Sequence, residues 1–361
     1  VTFQFENDLD GDANSIDDAR AYLDAAHKSG LKVLMGIPQE CVRKKNLTRV
    51  QERVSALKDH RALFGWYLYG EPDAPAYDPL TKKEALPVSP RNLIDVYKTV
   101  KQLDPIRPVS IDSFLEIDRT YPYVDGFDIF MSEYLAIPAE PPTAAVVPYT
   151  EAAVRVLAPR GKSVMTQVQV YNLATDKWIV REGDDSEQAR DILSQNRYPT
   201  REEIRFMVYY AIFKGAKGIF FNCYRYDYGE ENPGDDISRK ANPSQWKAVS
   251  SVSAELKAMI PILLGPTQEP NEAGVAIAGG AMVEMMIKQY KGKTYLFTVN
   301  PSPDPVYIQF VLGKFPNPKV TLLPERQVIP YQSEIGTFNV EFSPYDVRIY
   351  EIAPEGIPHI K

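Results

Sequence analysis

The feature that most constrains this chain is an alternation. From residue 1 to about residue 260, short β-rich runs are separated by helical patterns. The strand candidates are 1-VTFQF, 32-KVLMGI, 64-FGWYLY, 107-RPVSID, 127-FDIFMS, 163-SVMTQVQV and 218-GIFFNCY. The helices between them carry start and stop signals. Ser15 is a helix cap with Asp18 three residues on, and Gly30 follows the last turn. Thr200 and Glu203 form a capping-box pattern, and Gly215 sits where that helix should end. Strands separated by helices call for a parallel sheet, because parallel neighbours need a crossover connection.

Seven such strands fit either a doubly wound sheet or most of an eight-stranded barrel. No GxGxxG or P-loop pattern follows any of them, so the nucleotide-binding readings lack support. Polar residues collect instead at the C-terminal ends of nearly all the strands: Glu6 and Asp8, Gln39 and Glu40, Glu71, Asp112, Glu133, Gln167 and Gln169, Asn222 and Asp227. Barrel enzymes build their sites at that rim, so the expectation is a (β/α)8 TIM barrel. After residue 266 helical patterns stop. The runs 282-MVEMMIKQY, 294-TYLFTVN, 306-VYIQFV, 319-KVTLLP, 337-TFNVEF and 347-VRIYEI read as a small antiparallel β-sandwich. Pro261 and Gly265-Pro266 mark the join, giving a barrel domain over 1–264 and a β-sandwich domain over 267–361.

Charge and composition remove several function classes. The net charge is −7 and no Lys/Arg block stands out, which leaves nucleic acid without an electrostatic footprint. No apolar run approaches the roughly 20 residues of a membrane-spanning helix. His27, His60 and His359 show no HExxH or paired spacing, so no metal site, cofactor or Ser-His-Asp triad is expected. Cys41 and Cys223 read as two buried thiols. Acid–base chemistry therefore falls to carboxylates.

Glu71 is the first of these. It ends the apolar run Phe64 to Tyr69, and Pro72 stops the strand and biases its predecessor toward an extended backbone. Tyr67 and Tyr69 share its parity along the strand. Apolar walls raise a carboxyl pKa, which a general acid near neutral pH requires. Glu133 ends 127-FDIFMSE in the same manner, facing inward if Ile129 and Met131 do. Asp112 and Asp227 are further candidates. Each of these acids also has a plain reading as a loop hydrogen-bond or salt-bridge partner. In 163-SVMTQVQVYN, Val164, Val168 and Val170 would face the helices, placing Met165, Gln167 and Gln169 inside. Around the rim stand Tyr134, Tyr171, Trp178, Tyr224, Tyr226 and Tyr228, and Asn222 as a polar strand end. Flat rings of this kind stack on the apolar faces of sugars.

The run 60-HRALFGWYLYGEPD resembles the fourth-strand signature of TIM-barrel glycoside hydrolases, which often reads H-P-A-L-x-G-W-Y-x-x-D-E-P. The segment 22-YLDAAHKSGLKVLMGIP resembles the helix and strand before it, and 199-PTREEIRFMVYYAIFKGAKGIFFNCY resembles the helix and last strand. The similarity spans about residues 15–260. It implies a (β/α)8 fold and makes Glu71 the counterpart of the fourth-strand general acid/base. Three departures accompany it. Gly70 stands where relatives often have Asp. The seventh-strand Glu, the nucleophile of the retaining clan, has no match, with Gln167 and Gln169 there instead. Residues 1–5 align with the second barrel strand, so the first is expected to be missing from this chain.

The expected function is a glycoside hydrolase cleaving an oligo- or polysaccharide, with Glu71 as acid and Glu133, or else Asp112, as the second carboxylate. Substrate contacts are expected from Tyr69, Tyr134, Gln167, Gln169, Tyr171, Trp178, Asn222, Tyr224 and Asp227. The alternative is a non-catalytic carbohydrate-binding protein on a hydrolase scaffold. Either way the partner is a carbohydrate, which places the chain outside the cytoplasm, secreted or periplasmic.

Overall fold

The computed structural model describes residues 15–74, 76–78, 83–85, 88–113, 117–134, 143–172, 186–187, 190, 197–222, 237–278, 283–315 and 317–354, with backbone alone at 76–78, 83–85, 134 and 143–148. The chain forms two compact units. The first gathers Val1–Tyr134, Pro148–Gln167 and Lys214–Phe220; the second gathers Leu135–Val147, Val168–Phe213 and Phe221–Lys361. The expected strand at 1–5 lies outside the described residues.

The first unit is built on the alternation. Strands β1 (Val33–Gly36), β2 (Leu63–Gly70), β5 (Val109–Ser113), β6 (Ile129–Tyr134), β7 (Ser163–Gln169) and β8 (Gly218–Asn222) lie side by side in chain order in one sheet. The pairs β1–β2, β2–β5 and β5–β6 are parallel. Helices Leu47–Leu57 and Pro90–Leu103 supply crossovers, and Ile16–Lys28 leads into β1. Ser15 accepts the Asp18 N–H at 3.0 Å, and Gly30 takes the left-handed φ of +70° that closes the helix. The two faces of the sheet differ. Val33, Trp66, Leu68, Val109, Ile111 and Phe130 pack with helix residues such as Leu23, Val54, Leu93 and Val96. On the other face Leu34, Tyr67, Ile129 and Met131 form a smaller cluster of strand residues, flanked by Phe64, Met165 and Phe220. This is one half-barrel of parallel strands, covered on its outer face.

Two short strands, β3 (Ala76–Asp78) and β4 (Lys83–Ala85), form an antiparallel hairpin after Glu71. Three residues are too few to show a period, so the segment reads as loop.

The second unit carries two antiparallel sheets. One runs β10 (Val275–Ala278), β13 (Val306–Leu312), β16 (Thr337–Phe342). The other runs β15 (Gln327–Ile329), β14 (Lys319–Leu323), β17 (Val347–Ala353), β12 (Lys293–Val299), β11 (Glu284–Tyr290), β9 (Thr267–Gln268). Leu296, Ile308, Phe310, Phe338, Phe342 and Tyr350 fill its core, with Phe310 stacked on Phe338 at 4.9 Å. Every residue of β12 is buried, because helix Arg201–Phe213 of the same unit packs on its other side, ring to ring between Tyr209 and Phe297. That helix begins with the expected box: Thr200 Oγ1 accepts the Glu203 N–H at 3.2 Å and Glu203 accepts the Thr200 N–H at 2.7 Å.

Candidate active site

The site starts from an irregularity in β2. Register with β5 runs Tyr67 to Ser110 and then Tyr69 to Ile111, so one extra residue sits between them. Trp66 and Leu68 face the helices, Tyr67 faces the other way, and after the bulge Tyr69 packs with the helix-side cluster too. Simple alternation put Tyr69 beside Tyr67; the bulge turns its ring to the opposite face.

Glu71 follows two residues later with φ +51°, a left-handed conformation that few residues other than glycine adopt. The extended backbone expected before Pro72 is therefore not what forms. The surrounding hydrogen bonds over-determine the turn. Glu71 donates its N–H to the Asp112 carbonyl at 2.9 Å and accepts from the Ala74 N–H at 3.1 Å. The Tyr123 hydroxyl donates to the carbonyls of Pro72 and Val88 at 2.9 and 2.5 Å. Asp73 accepts from the Ser113 hydroxyl at 3.0 Å and the Thr120 hydroxyl at 2.8 Å. Asp73, Thr120 and Tyr123 were not among the expected site residues. The Pro72-Asp73 pair, a common turn signal, is the trace they leave in the sequence.

Asp112 comes from the middle of the sheet. Its Oδ1 accepts the Tyr67 hydroxyl at 2.8 Å, and its Oδ2 accepts Gln167 Nε2 at 2.9 Å. Gly70 stands opposite Asp112 in the β2–β5 register. A β-carbon on Gly70 would lie 2.6 Å from the Tyr67 hydroxyl and 3.1 Å from Asp112 Oδ1. Glycine at this position thus leaves room for a carboxylate arriving from the next strand. Glu133, on β6 with the parity of Ile129 and Met131, is half-buried.

The electrostatics follow from this crowding. Glu71 is pushed up to about 7, first by burial, then by the negative charges of Asp112 and Asp73. Burial also raises Asp112, against the pull of its hydrogen bonds from Tyr67 and Gln167. The Tyr67 hydroxyl is driven well above its usual range by burial, by Asp112, and by the charges of Glu133 and Glu71. One protonated carboxyl and one buried carboxylate side by side can deliver a proton near neutral pH.

The remaining expected residues divide. Gln167 is at the site. Gln169, Tyr171 and Asn222 belong to the second unit and are buried there, Gln169 donating to the Tyr171 carbonyl at 3.1 Å and the Asn222 carbonyl accepting from Val170 at 2.8 Å. Tyr134 ends β6, its side chain outside the described residues, as are Trp178, Tyr224, Asp227, Tyr226, Tyr228 and Cys223. Cys41 is buried. Among the described residues no group of three His, Cys, Asp or Glu could hold a metal ion, and no helix is long and apolar enough to cross a membrane.

No family model matches the sequence, and no curated protein matches it. Solved structures do. An α-amylase from Geobacillus thermoleovorans, complexed with acarbose, superposes with a TM-score of 0.53 at 12% identity over 94% of this chain and 81% of that one. A family 27 β-L-arabinopyranosidase from Geobacillus stearothermophilus, complexed with arabinose, gives 0.55 at 11% identity over 95% and 79%. A family 30 xylanase from Clostridium acetobutylicum gives 0.51 at 12% identity over 98% and 89%. The structural neighbours are barrel glycoside hydrolases. At these identities the likeness is one of fold, a parallel half-barrel joined to antiparallel sheets.

Proposed function

We propose that this chain is a glycoside hydrolase acting on an oligo- or polysaccharide, with Glu71 as general acid. The observation that carries the reading is Glu71 itself, a carboxyl at a strand's C-terminal end held near 7 by burial and by Asp112. An acid in that state gives the departing sugar an alcohol rather than an alkoxide. The barrel fold of the neighbours and the Gly65-Trp66-Tyr67 to Glu71-Pro72 signature support it. In the full reading residues 1–264 belong to a (β/α)8 barrel, the β-sandwich occupies 267–361, and the chain works outside the cytoplasm.

Glu133 is the second carboxylate of the proposal. Glu133 is half-buried and close enough for its charge to act on the Tyr67 hydroxyl, on the face that Tyr67, Ile129 and Met131 share. A separation of about 5–5.5 Å from Glu71 would give retention, and about 6.5–9.5 Å inversion with a water between. Gln167 in place of the seventh-strand Glu favours inversion, since an amide is no nucleophile.

The same Gln167 supports a second reading, a sugar-binding protein on a hydrolase scaffold. An array of defined oligo- and polysaccharides, scored for bound protein and for new reducing ends, separates the two. Product from wild type and none from Glu71→Gln is the expected outcome. Binding by both proteins with product from neither would replace the enzyme reading with the second.

A further inference from the structure

We propose that Asp112 is a positioning residue: clamped by Tyr67 and Gln167 and given its space by Gly70, it acts on the reaction through Glu71 without touching the sugar. The inference rests on the reading of Glu71 as the acid, and it stands on four geometric facts. Asp112 is 9% exposed, more enclosed than Glu71. Each of its carboxyl oxygens already accepts a hydrogen bond from a neutral donor. Its main-chain carbonyl holds the Glu71 N–H at 2.9 Å, so the residue that orients the Glu71 backbone also sets its field. Finally, the residue opposite it is the glycine whose β-carbon would push the Tyr67 hydroxyl off the carboxylate.

The chemistry is a division of labour between two acids. Neither Tyr67 nor Gln167 carries a positive charge, so they hold Asp112 in place without neutralising it. Its negative charge then falls on Glu71, whose other charged neighbour, Asp73, is anchored by Ser113 and Thr120. Tyr67 faces Asp112, Glu133 and Glu71 together, and all three keep its hydroxyl proton in place as a donor.

The test reads Glu71 directly, in the full chain, by carboxyl carbon NMR on protein labelled at glutamate Cδ, with Glu71→Gln used to identify the resonance. In wild type the resonance should titrate near 7. In Asp112→Asn the midpoint should fall by about one unit, because a like charge is removed while burial remains. The Gln167 amide turns over to accept from the new side-chain amide, so the fold is retained. Tyr67→Phe should also lower the midpoint, since Asp112 loses a donor and holds its own proton to higher pH. Should Asp112→Asn fail to fold, Tyr67→Phe carries the test alone. A Glu71 midpoint unchanged or raised in the folded variants overturns the proposal. The readout needs no turnover: a lowered midpoint in a protein that cleaves no sugar would sink the hydrolase reading and leave the pairing standing.

Discussion

Glu71 is costly to the fold in proportion to its usefulness. Its pKa rises from 4.5 to about 7 on folding, so between those values the folded chain binds more protons than the unfolded one. The stability this confers is complete below about 4.5, declines as pH rises, and is gone above about 7. A shift of this size corresponds to up to about 3 kcal/mol, less what relaxation and water return. Glu71→Gln should therefore stabilise the protein by about 1–3 kcal/mol at pH 8 and change little at pH 4, read by urea denaturation at both values. Equal midpoints at pH 8 would mean that Glu71 is not buried as an acid. Catalysis should follow the same proton. With Glu71 as acid, kcat/KM should fall on the alkaline side with a midpoint near 7, and a profile flat from pH 6 to 9 would remove Glu71 from that role.

At the scale of the element, β2 explains what a sequence reader can and cannot find. The order of strands and helices was legible because burial on one face repeats with a period, as in Val33, Trp66, Leu68, Val109 and Ile111. The caps at Ser15 and Thr200 were legible because each is a local hydrogen bond. Glu71 and Gln167 were legible as polar residues at strand ends. The bulge between Tyr67 and Tyr69 was not, since it depends on register with β5, a strand some 40 residues on. Nor was the clamp on Asp112, whose partners Tyr67 and Gln167 are 45 and 55 residues away. Gly70 is the point where these levels meet. Gly70→Ala places a methyl 2.6 Å from the Tyr67 hydroxyl, which is held and cannot simply swing away. The expected result is a loss of about 1–3 kcal/mol in stability together with a changed pH profile. An unaltered profile with unaltered stability would show that the space at residue 70 has no role.

Across the described residues of the molecule, buried acids come in two kinds. Asp104 meets Arg107 at 3.1 Å and the Trp66 indole at 3.0 Å; Glu255 meets Arg205 at 2.8 Å; Glu351 meets Lys293 and the Tyr295 hydroxyl, each at 2.8 Å. Among the described residues Asp112 has neutral donors and no cation. The compensated acids serve the fold, and the uncompensated one sits beside the candidate acid, which is where perturbed groups gather in active sites. The two kinds should respond oppositely to mutation. Lys293 is 2% exposed, so Lys293→Met leaves Glu351 as a buried charge without its lysine. That should cost about 3–5 kcal/mol. Adding Glu351→Leu removes the stranded charge and should recover most of the loss, since a buried ion pair replaced by apolar side chains is often near neutral. Denaturation of wild type, both singles and the double closes the cycle. A double mutant as unstable as Lys293→Met would mean that the pair's worth lies in packing rather than in charge. The distinction between structural and working carboxylates would then rest on Asp112 alone.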